Sequence, residues 1–323
     1  MNRFICCLAV LLLASCARID LHDELAKQSA DAWLTRISDD RLLLELSIPG
    51  AHDAATSTIN TLTLFTRTQE LNVAELWNCG VRAFDLRPAW KDGTLGIYHD
   101  RYDANVSFQH IMNMLQIALK RDPGEFAIVL VRHEQEADGN DPDWAEMMGA
   151  YLGSSADNLV PYTPGLTVGE MRGKILVLSR NEYAGGPYGG YIRGWNSGKD
   201  IAAQKGASVI SPASDLVFPL WVQDYYAPAN ADEKWEEVRD MLDAAAESRD
   251  ALVINHASGY LGGSIPDYRS NAHAINSRII DYLYTHASPA GIIMMDFAGV
   301  PVSKGIPVYG KALVEALTEQ NQK

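Results

Sequence analysis

The sequence predicts a single-domain α/β barrel built on parallel strands. Three observations carry this reading. Short apolar runs alternate with segments of helical spacing along almost the whole chain. A charged or imidazole residue follows nearly every run. The 323 residues, 47% of them hydrophobic, suffice for one full core. Strand–helix alternation argues for parallel strands with crossover helices. The trailing polar residues are His52, Arg87, His99, Arg132, Arg180, Asp224, His256 and Asp296. In a barrel the strand C-termini converge on one face, so these side chains would meet there. An open doubly wound sheet would concentrate its site at one switch point.

The elements follow in order. Arg3, the apolar Phe4–Leu13 segment and Leu13-Ala14-Ser15-Cys16 read as a lipoprotein signal peptide over 1–15, with Cys16 as the lipidated first mature residue. The apolar segment is too short to span a bilayer. Residues 16–40 form a polar tether and helix, and the barrel occupies 41–323. Expected strands are Leu44–Ile48, Ala83–Leu86, Gly96–Tyr98, Phe126–Val131, Ile175–Leu178, Leu220–Val222, Leu252–Ile254 and Ile292–Met295. Helical spacing appears at Phe108, Ile111, Leu115 and Leu119, at Trp235, Val238, Leu242 and Ala245, and at Ile279, Ile280 and Leu283. Asn230 or Asp232 is placed to cap the second of these helices. Asn181–Trp195 (NEYAGGPYGGYIRGW) reads as a long mobile loop and Ala257–Asn271 as a second, with aromatics that either line a substrate rim or merely shape the surface.

Composition narrows the function. The formal charge is −14 and no Lys/Arg cluster stands out, which argues against nucleic acid as a partner. No G-x-G-x-x-G or Walker loop is present. With Cys6 and Cys7 in the leader and Cys16 lipidated, Cys79 alone remains, so no intrachain disulfide is expected. Cys79 itself reads as a small buried residue.

The pattern of His52, Arg87 and His99 suits phosphoryl transfer. One imidazole takes a proton and the other gives one, while a guanidinium neutralises charge on the phosphorus-bound oxygens. A lone histidine beside an apolar strand is usually structural, and His22, His110, His133, His273 and His286 take that reading. His256 sits at a strand end without an evident role. For His52 and His99 the ordered company of Asp53, Arg87 and Asp296 favours chemistry.

Taken together, SIPGAHD, VRAFDLRP, IYHD, FAIVLVRHE, RGKILVLSR, WVQDYY, ALVINHASG and IIMMDF resemble, in family order, the bacterial phosphatidylinositol-specific phospholipase C family and its X-type catalytic domain. The resemblance spans about Leu42 to Phe297. It implies an irregular (βα)8 TIM-type barrel. It also implies cleavage of phosphatidylinositol to diacylglycerol and inositol 1,2-cyclic phosphate, with the inositol 2-hydroxyl as internal nucleophile.

On that resemblance His52 is the general base, Asp296 the carboxylate that orients it, and Arg87 the group that stabilises the phosphorane. His99 is the general acid and Asp53 its carboxylate partner. Arg132, Arg180, Asp224 and Tyr226 match positions that hold the inositol ring, with Arg132 standing where familiar members carry lysine. Asp85 and Glu134 are expected as partners of Arg87 and Arg132 rather than as catalysts.

No cofactor is expected. Calcium-dependent relatives place acidic ligands and an Asn around the phosphate, whereas here Asp53 follows His52 and Arg87 occupies a ligand position, so metal-independent catalysis is expected. The expected partners are an inositol phospholipid headgroup and a membrane surface, the expected state a monomer, and the expected location the bacterial cell envelope, lipid-anchored at the outer membrane or cell surface, or else secreted. Phosphatidylinositol and glycosylphosphatidylinositol both remain open as substrates. The rival readings are a barrel phosphodiesterase acting on another glycerophospholipid or sphingolipid, and a non-catalytic headgroup-binding lipoprotein.

Overall fold

A computed structural model describes residues 21, 25, 31–212, 216–262 and 265–323. The expected leader, Cys16 and His22 lie outside the described residues. In chain order the strands are β1 (Ser47–Ala51), β2 (Ala83–Leu86), β3 (Pro88–Lys91), β4 (Thr94–His99), β5 (Tyr102–Ser107), β6 (Ala127–Val131), β7 (Ile175–Ser179), β8 (Gly190–Arg193), β9 (Ala207–Ile210), β10 (Val217–Gln223), β11 (Leu252–His256) and β12 (Gly291–Met295), followed by a small separate pair, β13 (Val302–Ser303) and β14 (Ile306–Pro307).

The closed α/β barrel expected from sequence is present, with the spatial order β1-β12-β11-β10-β9-β8-β7-β6-β2. Its irregularity lies in β9, which runs antiparallel to both β8 and β10. The first and last barrel strands pair in parallel from Ser47↔Gly291 to Ala51↔Met295. The opposite side of β1 is held more lightly, by Gly50↔Ala83 and Ala51↔Phe84.

Continuous apolar runs make the parallel staves because both faces are covered. In β6, Ile128 and Leu130 join an inner cluster with Ile48, Leu176, Leu178, Val222, Ile254 and Met294. The alternate residues Ala127, Val129 and Val131 pack outward with helix residues such as Ile111, Leu115 and Val238. The period of two thus splits each strand between two cores. Gly50 suits close packing, since a Cβ there would lie 2.4 Å from Met294 Sδ and 3.2 Å from both Ala83 Cβ and the Ile293 carbonyl.

Four expectations need correction. The first strand is Ser47–Ala51 rather than Leu44–Ile48, because Leu43–Glu45 closes a 3-10 turn ahead of it. Gly96–Tyr98 is not a barrel stave. It lies in β4, the middle of a three-stranded antiparallel sheet β3-β4-β5 inserted between β2 and β6. Asp92 and Gly93 make its tight turn with φ 52° and 74°, the left-handed pair that a two-residue hairpin needs. The Asn181–Trp195 segment is tied down rather than a free loop. Tyr183 and Tyr188 stack, Tyr191 Oη donates to Tyr183 O at 2.7 Å, and Gly190–Arg193 forms β8. Within 16–40, Leu21 and Leu25 are helical and buried, but Trp33–Arg36 is a 3-10 turn.

The expected helices form at Phe108–Arg121, Ala231–Glu247 and Tyr268–Thr285. Asn230, not Asp232, caps the second, its Oδ1 accepting from the Asp232 and Glu233 N–H groups at 3.0 Å. Cys79 caps the end of the helix Val73–Asn78 and is half-buried rather than enclosed.

Candidate active site

His52, Arg87 and Asp296 arrive at one mouth from the ends of β1, β2 and β12. His99 comes from β4, so the inserted sheet and not a barrel stave delivers it. Three of these residues precede backbone in the left-handed region: Asp53 (φ 44°), Asp100 (φ 52°) and Phe297 (φ 54°). Such a conformation is costly for a non-glycine side chain, and for buried Phe297 above all. At Asp53 it lets two consecutive side chains both reach Arg87, His52 turning also to Asp296 and Asp53 to His99.

His52 Nδ1 lies 2.9 Å from Asp296 Oδ1. Asp296 is itself fixed, because its Oδ2 accepts the Gly259 N–H at 3.1 Å. Gly259 has φ 149°, and a Cβ there would meet the Tyr226 carbonyl at 2.8 Å. On the other side of the ring, Arg87 Nη2 is 2.9 Å from His52 Nε2. A guanidinium only donates, so in the neutral imidazole this contact leaves Nε2 unprotonated and puts the ring proton on Nδ1, facing Asp296. Burial lowers the His52 pKa and Arg87 opposes its charge, but Asp53 and Asp296 outweigh both and push it up to about 9. Gln69, buried in the loop after β1, ties the strand ends together by donating to His52 O at 2.8 Å and Met295 O at 2.9 Å.

Arg87 is the hub. Its Nε pairs with Asp53 Oδ1 at 2.6 Å and its Nη2 with Asp85 Oδ2 at 3.2 Å, and Glu134 lies 4.0 Å from Nη1. Burial alone would raise the Asp85 carboxyl, but Arg87 and His52 hold it well below the ordinary range. Glu134 goes the other way: burial pushes it up to about 8 despite Arg87 and Arg132. Asp53 Oδ2 lies 3.4 Å from His52 Nε2 and 3.6 Å from His99 Nε2, so one carboxylate oxygen faces both imidazoles. His99 Nδ1 is 2.9 Å from the Thr66 carbonyl. Its closest polar partner is therefore that carbonyl, with Asp53 further off.

The second group of residues converges on a neighbouring wall. Arg180 stacks on Trp195, its Cζ 4.2 Å from the ring centroid, and Trp195 Nε1 donates to Asp224 Oδ2 at 2.8 Å. Burial draws Arg180 down to about 10. Asp224 Oδ1 is 3.6 Å from His256 Nδ1, and the His256 ring lies edge-on to His52 at 5.8 Å. Burial draws His256 down to about 4, so it is neutral at ordinary pH. Arg132 reaches the mouth beside Glu134, 4.0 Å away. Tyr226 stands further out, 49% exposed, with its ring toward Tyr260.

Sequence reasoning missed Gln69 and Trp195 and left His256 unassigned. Only the Trp195 indole, in a loop rich in glycine, carried any local signal. His133 keeps the structural reading, stacked on Trp144 and 2.7 Å from Asp138.

His52, Asp53 and Asp85 converge closely enough to hold a metal ion. The Arg87 guanidinium already contacts all three, and a fixed cation there would repel a divalent one. The donor set does not fit a resident metal.

The fold and this cluster define a closed α/β barrel with two imidazoles, carboxylates and a guanidinium gathered at its mouth. No family model matches the chain. Among curated proteins it is 24% identical over 301 residues to a 1-phosphatidylinositol phosphodiesterase of Staphylococcus aureus (strain Newman), covering 86% of this chain and 91% of that one. It is 25% identical over 290 residues to the protein of that name from Listeria monocytogenes, covering 85% and 83%. The solved phosphatidylinositol-specific phospholipase C from Listeria monocytogenes superposes with a TM-score of 0.68 at 22% identity, covering 89% and 97%. A single-site variant of the Staphylococcus aureus phospholipase gives 0.71 at 22%, covering 90% and 97%. The chain is thus similar in sequence to these bacterial phosphodiesterases and shares the barrel of the solved phospholipases, the fold its motifs implied.

Proposed function

We propose that this chain cleaves phosphatidylinositol by attack of the inositol 2-hydroxyl on phosphorus, with no metal. One observation carries the reading: His52 is held between Asp296 and Arg87, and His99 faces it across Asp53. The 2-hydroxyl proton passes to His52 Nε2 as its oxygen bonds to phosphorus, and the bond to the glycerol oxygen breaks. That oxygen takes a proton from His99, releasing diacylglycerol and leaving inositol 1,2-cyclic phosphate. Asp296 holds the base in the tautomer that frees Nε2. Arg87 meets charge growing on the phosphorus-bound oxygens, where its planar fork can pair two at once.

Binding the substrate means that the phosphate takes over the Arg87–His52 contact. Arg132, Arg180, Asp224 and Tyr226 supply the ring's hydroxyl partners and one flat face. All these groups come from one chain, so a monomer suffices. Similarity to phosphatidylinositol phosphodiesterases favours an inositol lipid over the rival phosphodiesterase substrates, and the complete base–acid pair favours an enzyme over a headgroup-binding protein.

Exposed Leu62, Leu64 and Phe65 border the turn that holds His99, and Ile265 is exposed in the facing loop. Such a rim suits a lipid surface. No helix among the described residues is long and apolar enough to cross a membrane. Lipid attachment at Cys16 in a bacterial envelope is the reading of the leader. Mass spectrometry of the mature N-terminus tests it, and an unmodified Cys16 would refute it.

The reaction is tested by phosphorus NMR of the purified protein, freed of its leader, with phosphatidylinositol micelles in EDTA. Inositol 1,2-cyclic phosphate is the expected first product. Turnover that appears only when calcium is restored would overturn metal independence. No product under either condition would return the rival substrates and the binding-protein reading to first place.

A further inference from the structure

We propose that Lys234, a buried lysine outside the catalytic cluster, is a positioning residue that sets affinity for the inositol ring by pinning the Asp224–Tyr226 segment. The inference rests on the proposed function. Lys234 is wholly buried in the first turns of the helix Ala231–Glu247. Its Nζ donates to the Tyr225 carbonyl at 2.7 Å and to Gln223 Oε1 at 3.2 Å. The same Gln223 Oε1 accepts the Tyr225 N–H at 2.7 Å.

Both peptide planes flanking Tyr225 are therefore fixed. Those planes carry Asp224 on one side and Tyr226 on the other. The chain from Asp224 to Pro228 lies outside any strand or helix; apart from the Tyr260 N–H donated to the Tyr226 carbonyl at 2.9 Å, its direction comes from such side-chain ties. Gln223 extends the clamp to the next strand by donating to Asn255 Oδ1 at 2.8 Å and to the His256 carbonyl at 2.9 Å.

A fully buried ammonium is costly to hold, and burial draws the Lys234 pKa down to about 8, against the pull of Asp224, Asp296 and Glu237. A methionine of similar shape would spare that cost. The amine's placement is what the segment uses: three donors on one flexible stem, reaching a main-chain carbonyl and a side-chain amide together. Its reach ends at the wall that faces the ring, not at the reacting phosphorus.

The test is Lys234→Met, with Lys234→Arg as the variant that keeps a donor. Steady-state kinetics on phosphatidylinositol and competitive inhibition by myo-inositol are measured for the whole mature chain. For Lys234→Met, KM and the myo-inositol Ki rise about tenfold or more, while kcat changes less than about threefold, because misplaced binding groups weaken ring capture. Lys234→Arg recovers part of the loss, and it carries the test if the methionine variant does not fold.

A KM and Ki equal to wild type overturn the inference, even if kcat falls, since a loss of folded enzyme lowers kcat alone. A wild type without turnover fails the proposed function itself. Turnover in the wild type with no KM effect in the variant fails only the role of Lys234.

Discussion

Replacing Asp296 with asparagine isolates what the proposed base, His52, needs. The carboxylate is fully enclosed, 2.9 Å from His52 Nδ1 through one oxygen and 3.1 Å from the Gly259 N–H through the other. An asparagine cannot serve both. With its oxygen toward His52, its amide nitrogen faces the Gly259 donor. With its oxygen toward Gly259, its NH2 faces Nδ1 and drives the ring proton onto Nε2, the atom that must accept from substrate.

Charge adds a second effect. His52 is raised from 6.5 to about 9, a preference for the imidazolium of about 3 kcal/mol, for which Asp53 and Asp296 supply the upward pull. Neutralising one of the two lowers the pKa by about one unit. The active form of a general base is the neutral one, so kcat/KM rises with pH through that pKa. A lowered pKa moves the rise to lower pH. Asp296→Asn should therefore show its acid limb about one unit below wild type. The plateau should be about a hundredfold to ten-thousandfold lower, as wrong-tautomer histidines are in triads. The assay is kcat/KM between pH 5 and 10, roughly the window in which an imidazole so placed titrates, with a melting curve to confirm folding. A limb that stays put or moves up, or a plateau within about twofold of wild type, refutes the reasoning.

Three further outcomes are expected. Arg87→Lys keeps a charge but loses the fork that reaches Asp53, His52 and Asp85, so kcat should fall about a hundredfold or more with KM little changed; steady-state kinetics check this, and a fall confined to KM would contradict it. Glu125→Ala strips the carboxylate from fully buried Arg82, paired at 2.8 Å, and should cost about 3–5 kcal/mol in denaturant unfolding without touching the mouth of the barrel. Leu64→Ser with Phe65→Ser should weaken sedimentation with phospholipid vesicles severalfold while sparing turnover of a water-soluble inositol phosphodiester; equal losses in both would place these residues in catalysis instead.

The sequence showed the parallel staves most clearly where burial on two faces demands unbroken apolar runs, as in FAIVLV before Arg132. It failed at β8 and β9, where GYIR and ASVI are short and the former is surrounded by glycines. Their pairing is antiparallel and depends on neighbours far along the chain. Asp92-Gly93 announced a hairpin, but the helical rhythm on either side masked it, and His99 was assigned to a barrel strand in consequence.

His52, Asp53, Arg87 and Asp296 could be read because strand ends converge by geometry. Gln69 could not, because its role arises only from contacts made in three dimensions, and Trp195 showed only as one aromatic of a glycine-rich segment. The left-handed turns at Asp53, Asp100 and Phe297 were equally hidden, for none of these residues is a glycine.

The pairing of β1 with β12 also bears on how the protein comes into being. His52 and Asp296 stand 244 positions apart in sequence, yet meet through the seam that joins the first barrel strand to the last. A growing polypeptide makes its proposed base early and that base's anchoring partner near the end. Until the final stave zips into place, the imidazole has no anchor and the barrel has an open side. Contacts of such long sequence separation form late and slowly. A chain still being synthesised thus lacks the His52–Asp296 pair altogether, and the pair is completed only when the barrel closes.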